Sequence, residues 1–126
     1  MSNLAFLKEV TNSNIDISPH SQIKTHYDDK NKAGWLLMKG EPRPSFTPIL
    51  LKDISNYFDN VKKEMDYSNG EKYDYLISGS DVEGVFNLGG DLNLFLQYIT
   101  SRDRKGLIDY AINSIDLVYR NFIHLN

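Results

Sequence analysis

From Leu50 to Met65 apolar side chains fall at three- and four-residue steps, as Leu50, Ile54, Tyr57/Phe58, Val61 and Met65. Lys52, Asp53, Asn56, Asp59, Lys62 and Lys63 fill the opposite side. This is the pattern of a helix with one buried stripe. Thr47 offers a capping hydroxyl, and Pro48 stands at the first helical position, where its missing N–H costs nothing. The pair Asn69-Gly70 ends the pattern with a turn. Such a helix draws most of its stability from packing its stripe on another layer, so the chain must supply one. The flanking segments do. Ser21 to Tyr27 alternates polar with apolar or β-branched residues, and Ala33 to Met38 is an apolar run centred on Trp35. Both read as strands. The polar stretch Asp28 to Lys32 between them predicts an antiparallel hairpin. Tyr73 to Ser78 reads as a third strand, continuing into Gly79 and Ser80. A helix separates it from the hairpin, so it is expected to lie parallel to a neighbour in the sheet.

The segment Glu41-Pro42-Arg43-Pro44-Ser45-Phe46 is too rich in proline for helix or central strand and reads as a loop. Asp81 to Gly90 is a glycine-punctuated loop. A short helix is expected from Asp91, with Leu92, Leu94, Phe95, Tyr98 and Ile99 as its apolar positions. A longer one is expected from a cap at Asp103 to about His124, with a buried stripe of Ile108, Ala111/Ile112, Ile115, Val118/Tyr119 and Phe122. The fold class is α/β, in the order β-β-α-β-loop-α-α. Residues 1–20 show no sustained period and read as a leader, with the body of the domain at 21–126.

Length and charge narrow the function. The 126 residues suit one domain, and 40% hydrophobic with 25% charged residues is the composition of a chain that folds. Fourteen basic against seventeen acidic side chains leave a net charge of −3, which gives no field to attract nucleic acid or an anionic membrane. The absence of cysteine excludes disulfides, thiolate nucleophiles and cysteine-based metal sites, and suits a reducing compartment. The N-terminus lacks the features of a secretory signal, and no apolar run approaches the roughly 20 residues of a membrane helix. A cytoplasmic protein is the expectation.

Chemistry is best sought in Asp81-Val82-Glu83-Gly84-Val85-Phe86-Asn87-Leu88-Gly89-Gly90-Asp91-Leu92, between a strand end and a helix start. Glycines let a backbone turn sharply or approach a ligand, and free N–H groups at a helix N-terminus favour negative charge. The same residues also fit a plain tight turn with Asp91 as an N-cap, and the pattern alone leaves both readings open. No Gly-Lys-Ser/Thr is present, and the spacing does not fit a dinucleotide fingerprint. Asp81, Glu83 and Asp91 lack the ligand spacing of a calcium loop, and His20, His26 and His124 lack that of zinc. Tyr73 and Tyr75, on one strand face, suit packing better than catalysis. No metal is expected.

At this loop the chain resembles the crotonase superfamily, the enoyl-CoA hydratase/isomerase fold, in Phe86-Asn87-Leu88-Gly89-Gly90-Asp91-Leu92. Upstream, Arg43-Pro44-Ser45-Phe46-Thr47-Pro48-Ile49-Leu50-Leu51 looks like the family's entry into its first long helix. The diffusible-signal-factor synthase-like members are the most similar, through Phe-Asn-Leu-Gly-Gly-Asp-Leu and Arg-Pro-x-Phe-Thr-Pro. The likeness covers about residues 20–126. It implies the N-terminal part of a ββα spiral fold and a CoA or carrier-protein thioester as substrate, with no further cofactor. It implies that the Gly90 N–H is an oxyanion donor, that Gly89 lets the acyl group pass, and that Leu88 and Asp91 flank it. Arg43, Ser45 and Phe46 match the family's loop near the nucleotide end of CoA.

One departure bears on activity. The family's second oxyanion glycine and its catalytic glutamates lie beyond the helix that ends this chain, and Glu64, Glu71 and Glu83 stand in the wrong segments to replace them. The chain therefore reads as the acyl-thioester-binding half of a hydratase/dehydratase-like enzyme, inactive by itself. The alternative is a non-catalytic binding or interaction module. The expected partners are acyl-CoA or acyl-carrier protein, with trimer-type self-association or pairing with a crotonase-fold partner. The stripes centred on Tyr57/Phe58 and Ile115 would then lack part of their cover.

Overall fold

In a computed structural model that describes residues 22–123, β1 (Ile23–Asp28) and β2 (Ala33–Met38) pair antiparallel, from Ile23↔Met38 to Asp28↔Ala33. The hairpin follows from its polar turn. The Asp28 carboxylate accepts from the backbone N–H of Lys30 at 3.0 Å and of Asn31 at 3.2 Å, and from the Asn31 side chain at 2.7 Å. That holds the chain in a bend that a β-branched residue would not stabilise. The expected leader and the neighbourhood of His124 lie outside the described residues.

Helix α1 (Pro48–Tyr67) begins where the Thr47–Pro48 pair predicts. The Thr47 hydroxyl accepts from the Leu50 N–H at 3.2 Å, satisfying a donor that has no partner within the helix. The stripe buries Leu50, Leu51, Ile54, Phe58 and Val61. Asn69 and Gly70 then take positive φ, and the Gly70 N–H returns to the Met65 carbonyl at 2.8 Å.

β3 (Tyr75–Ser80) adds to β2 in parallel, from Ala33↔Tyr75 to Met38↔Ser80, giving the order β1-β2-β3. It starts two residues later than the sequence pattern suggests. The Asp74 N–H is taken by the Lys32 carbonyl at 2.7 Å, just ahead of β2, so the ladder begins only where β2 does. Tyr73 and Tyr75 therefore do not share a packed strand face. The Tyr73 hydroxyl donates to Glu64 on α1, while Tyr75 is exposed.

The core forms where Ile23, Leu36 and Met38 of the sheet meet Leu50, Leu51, Ile54 and Phe58 of α1. Tyr110 and Leu117 complete it from the last helix. That helix, α3 (Arg104–Phe122), follows α2 (Leu92–Thr100) through a short turn. Asp91 and Asp103 cap the two helices, accepting from Leu94 and Gly106 N–H groups. On α2, Leu94, Phe95 and Tyr98 pack against the core, whereas Leu92, Leu96 and Ile99 are exposed.

α3 corrects the sequence reading. Its expected stripe of Ile108, Ile112, Ile115, Val118, Tyr119 and Phe122 is exposed, and the helix docks through Tyr110 and Leu117 instead. At 100° per residue those two lie almost opposite the predicted stripe. The periodicity identifies an apolar face; it does not supply the surface that would cover it. Among the described residues the architecture is mixed α/β, a three-stranded sheet with three helices, and no helix is long and apolar enough to cross a membrane.

Candidate functional site

The two loops singled out in the sequence leave the carboxyl ends of the parallel strands β2 and β3, where ligands of open α/β sheets gather. They are bonded to one another. The Phe46 N–H donates to the Gly89 carbonyl at 2.9 Å, and the Leu88 N–H to the Pro44 carbonyl at 2.7 Å. The first of these bonds belongs to a short parallel bridge at Phe46↔Gly90. Arg43, Ser45 and Phe46 are thereby brought beside Leu88, Gly89, Gly90 and Asp91, although 40 or more positions separate the two segments in sequence.

Gly89 has φ +89°, a region that L side chains rarely adopt, so a glycine is required there. Its N–H donates to the Asn87 side-chain oxygen at 2.7 Å, which fixes the turn from within. Gly90 is exposed, and among the described residues its N–H makes no hydrogen bond. A side chain on Gly90 would meet the Phe95 ring at 3.0 Å, which keeps this position small. Ser45 is buried in the opposite loop, where its N–H donates to the Arg43 carbonyl at 2.8 Å.

Asp91 does more than cap α2. Its side chain is buried, and its carboxylate accepts from the Leu94 N–H at 3.3 Å and from Arg43 through Nε at 3.2 Å and Nη2 at 2.5 Å. The Arg43 hydrogen bonds outweigh the burial that opposes ionisation, and they hold the carboxyl below its ordinary value. Arg43 is thus committed to Asp91 as a two-pronged clamp between the loops.

A further residue joins this arrangement that the helical stripe did not reveal. The buried Tyr110 hydroxyl accepts from the Asp91 N–H at 3.1 Å and donates to the Phe46 carbonyl at 2.5 Å. Its ring packs edge-to-face on Phe95, with centroids 5.3 Å apart. One phenol on α3 thus closes the ladder at the point where the two loops part. The only trace of it in the sequence is the sparse line Tyr110, Ser114, Leu117, Asn121, which the stronger isoleucine pattern hides.

The rest of the loop offers shape rather than acid–base chemistry. Phe86 and Leu88 in the loop and Leu92 just after it are well exposed, an apolar lip in the segment around Gly90. Asp81 is paired with Lys24 at 2.5 Å. Among the described residues no cluster of three or more His, Asp or Glu side chains could hold a metal ion.

A concavity of about 540 Å³ lies elsewhere, between α1 and the first residues of β3, lined by Phe58, Val61, Met65, Tyr73 and Leu76. Lys62, Asp66, Asp74, Tyr75 and Asn121 also line it, so it is a polar-rimmed surface hollow of side chains, whereas the loops present a backbone N–H beside a helix start. Nearby, burial pushes the Tyr57 and Tyr73 phenols well above their ordinary value, which suits packing and not proton transfer. No protein-family description matches the chain, and no curated protein matches it.

Proposed function

We propose that the bonded loops form an acyl-thioester-binding half-site of crotonase-like type, which takes a CoA or carrier-protein thioester and does not turn it over within this chain. One observation carries the reading: Gly90, an exposed residue at the start of α2 whose N–H makes no hydrogen bond among the described residues, is held between neighbours that are themselves hydrogen-bonded. A preorganised donor next to a helix N-terminus suits an oxygen that carries partial negative charge, such as a thioester carbonyl. Phe86, Leu88 and Leu92 give an acyl chain apolar surface beside it. The nearby aspartates support binding over catalysis, since Arg43 engages Asp91 and Lys24 engages Asp81. Arg43 acts in this reading as the clamp on Asp91 and not as a phosphate ligand. The assignment to fatty-acid or fatty-acid-signal metabolism rests on the sequence resemblance.

Isothermal titration of the chain with medium-chain acyl-CoA and with free CoA tests this. Gly90→Pro removes the donor and also presses on Phe95, so Gly90→Ala, which presses on the same ring but keeps the N–H, is its control; acyl-CoA binding should be about tenfold or more weaker in Gly90→Pro than in Gly90→Ala, equivalent to about 1.4 kcal/mol. Leu88→Asp, at an exposed position, should weaken acyl-CoA and leave free CoA unchanged. Absence of binding by the unaltered chain, or equal affinity in Gly90→Pro and Gly90→Ala with an unchanged circular dichroism spectrum, would rule the reading out. Steady turnover of a 2-enoyl thioester would refute binding without catalysis.

A further inference from the structure

We propose that the outward face of α3 is a self-association surface, on which two copies of this chain pair antiparallel about a two-fold axis near Ile115. The inference is independent of thioester binding. α3 carries two apolar lines on opposite sides. Tyr110 and Leu117 dock it, while Ile108, Ile112, Ile115, Val118, Tyr119 and Phe122 stay 43–79% exposed. The exposed line repeats by sevens: Ile108, Ile115 and Phe122 are one set, and Ala111 and Val118 with Ile112 and Tyr119 fill the steps between. The docked pair Tyr110 and Leu117 is also seven apart, so the spacing shows that each line is one continuous stripe along the helix, and the choice of occupant rests on area and self-complementarity. The seam runs about 21 Å from Ile108 to Phe122.

The area favours a second copy. At their exposures these six residues present roughly 600–700 Å², the Tyr119 hydroxyl and some backbone included. That is at or above the upper end of the roughly 300–600 Å² of the largest patch on a typical monomer, and near the roughly 800 Å² that each partner buries in a stable interface. The seam also complements itself. With Ile115 on the axis, Ile108 of one copy meets Phe122 of the other, and Ala111 meets Tyr119, small against large. An isologous contact needs this reciprocity. Charge does not call for a different partner, because Lys105 pairs with Asp109 at 2.8 Å and Arg120 with Asp59 at 2.7 Å within the chain. Arg104 heads the seam and Asp116 flanks it, both exposed, and the line from Ile108 to Phe122 is itself apolar, matched best by another apolar seam.

Sedimentation equilibrium of the 126-residue chain from about 1 to 200 μM, within the usual range of self-association affinities, reads the proposal directly. The expected result is a monomer–dimer equilibrium. Ile115→Glu should raise the dissociation constant about a hundredfold or more by placing two like charges on the axis, and Lys62→Glu on α1 should leave it unchanged. Ile115 is exposed, so the variant should keep the thermal melt of the monomer. Because the chain has no cysteine, Ile115→Cys supplies a second readout and should form a covalent dimer on mild oxidation at low micromolar concentration. A chain that stays monomeric throughout overturns the proposal and leaves the face to a different partner. So does a dimer indifferent to Ile115→Glu, or an open-ended series of oligomers.

Discussion

Replacing Tyr110 by phenylalanine isolates the contribution of one hydroxyl. The ring and its 5.3 Å contact with Phe95 remain, and only the bonds to the Asp91 N–H and the Phe46 carbonyl are lost. A typical hydrogen bond contributes about 1 kcal/mol net, and stranding a buried polar group costs about 1–3 kcal/mol. Asp91 is almost wholly buried at 3% exposure, so its N–H has little access to water as a substitute partner. Phe46 is half-buried, and its carbonyl can recover part of its loss. The expected destabilisation is therefore about 2–3 kcal/mol. With a urea slope of roughly 1–3 kcal/mol/M for a small domain, the midpoint should fall by about 1 M or more with the slope unchanged. Hydrogen exchange gives the location: the amides of Leu88 to Asp91 and the first turn of α2 should lose protection before the β1–β2 ladder does. A loss below about 0.5 kcal/mol, the range of ordinary surface changes, would show that the hydroxyl does not hold the loops together.

Two other perturbations probe neighbouring parts of the same argument. Asp91 ionises below its ordinary value in the folded chain because of Arg43, so its contribution is complete above about pH 4 and is lost as pH falls through the folded value; stability should decline on that acid limb, and Arg43→Gln should flatten it in urea midpoints taken from pH 6 to 2. A limb equally steep in the variant would assign it to other carboxylates. Gly34→Ala would place a methyl 2.5 Å from the Tyr57 hydroxyl and 2.8 Å from the Tyr73 ring, which is hydrogen-bonded to Glu64 and not free to yield. The expected cost is about 1–3 kcal/mol, seen as a melting temperature lowered by several degrees, and an unchanged melt would mean that the α1–sheet contact is looser than drawn.

The loops gain their geometry from contacts that no local pattern encodes. The glycines at 89 and 90 announce a turn, but their use depends on Phe46 and Pro44 lying alongside. That in turn depends on β2 and β3 being parallel neighbours, so that both loops leave the same edge of the sheet. Arg43 shows the same dependence. In sequence it is a loop cation open to phosphate or water, and only the fold sets it 2.5 Å from a buried carboxylate that also caps α2. A cation already paired with a buried anion attracts a second anion more weakly, which shifts the site's character from charge towards backbone donors and apolar surface.

What the sequence determined by itself is the set of elements with strong local causes. Thr47 and Pro48 start α1, Asp91 and Asp103 cap α2 and α3, Asp28 turns the hairpin, and Asn69-Gly70 ends the long helix. Each is a bond or a φ preference settled within a few residues, so each is legible without knowing the rest of the chain. The tertiary structure decided which apolar residues are inside. α3 has a strong apolar line and a weak one, and the weak one docks, because Tyr110 reaches two backbone groups of the paired loops while the isoleucine seam finds no surface among the described residues. Periodicity measures where apolar side chains are concentrated. Burial depends on what lies opposite them, and that is a property of the whole fold.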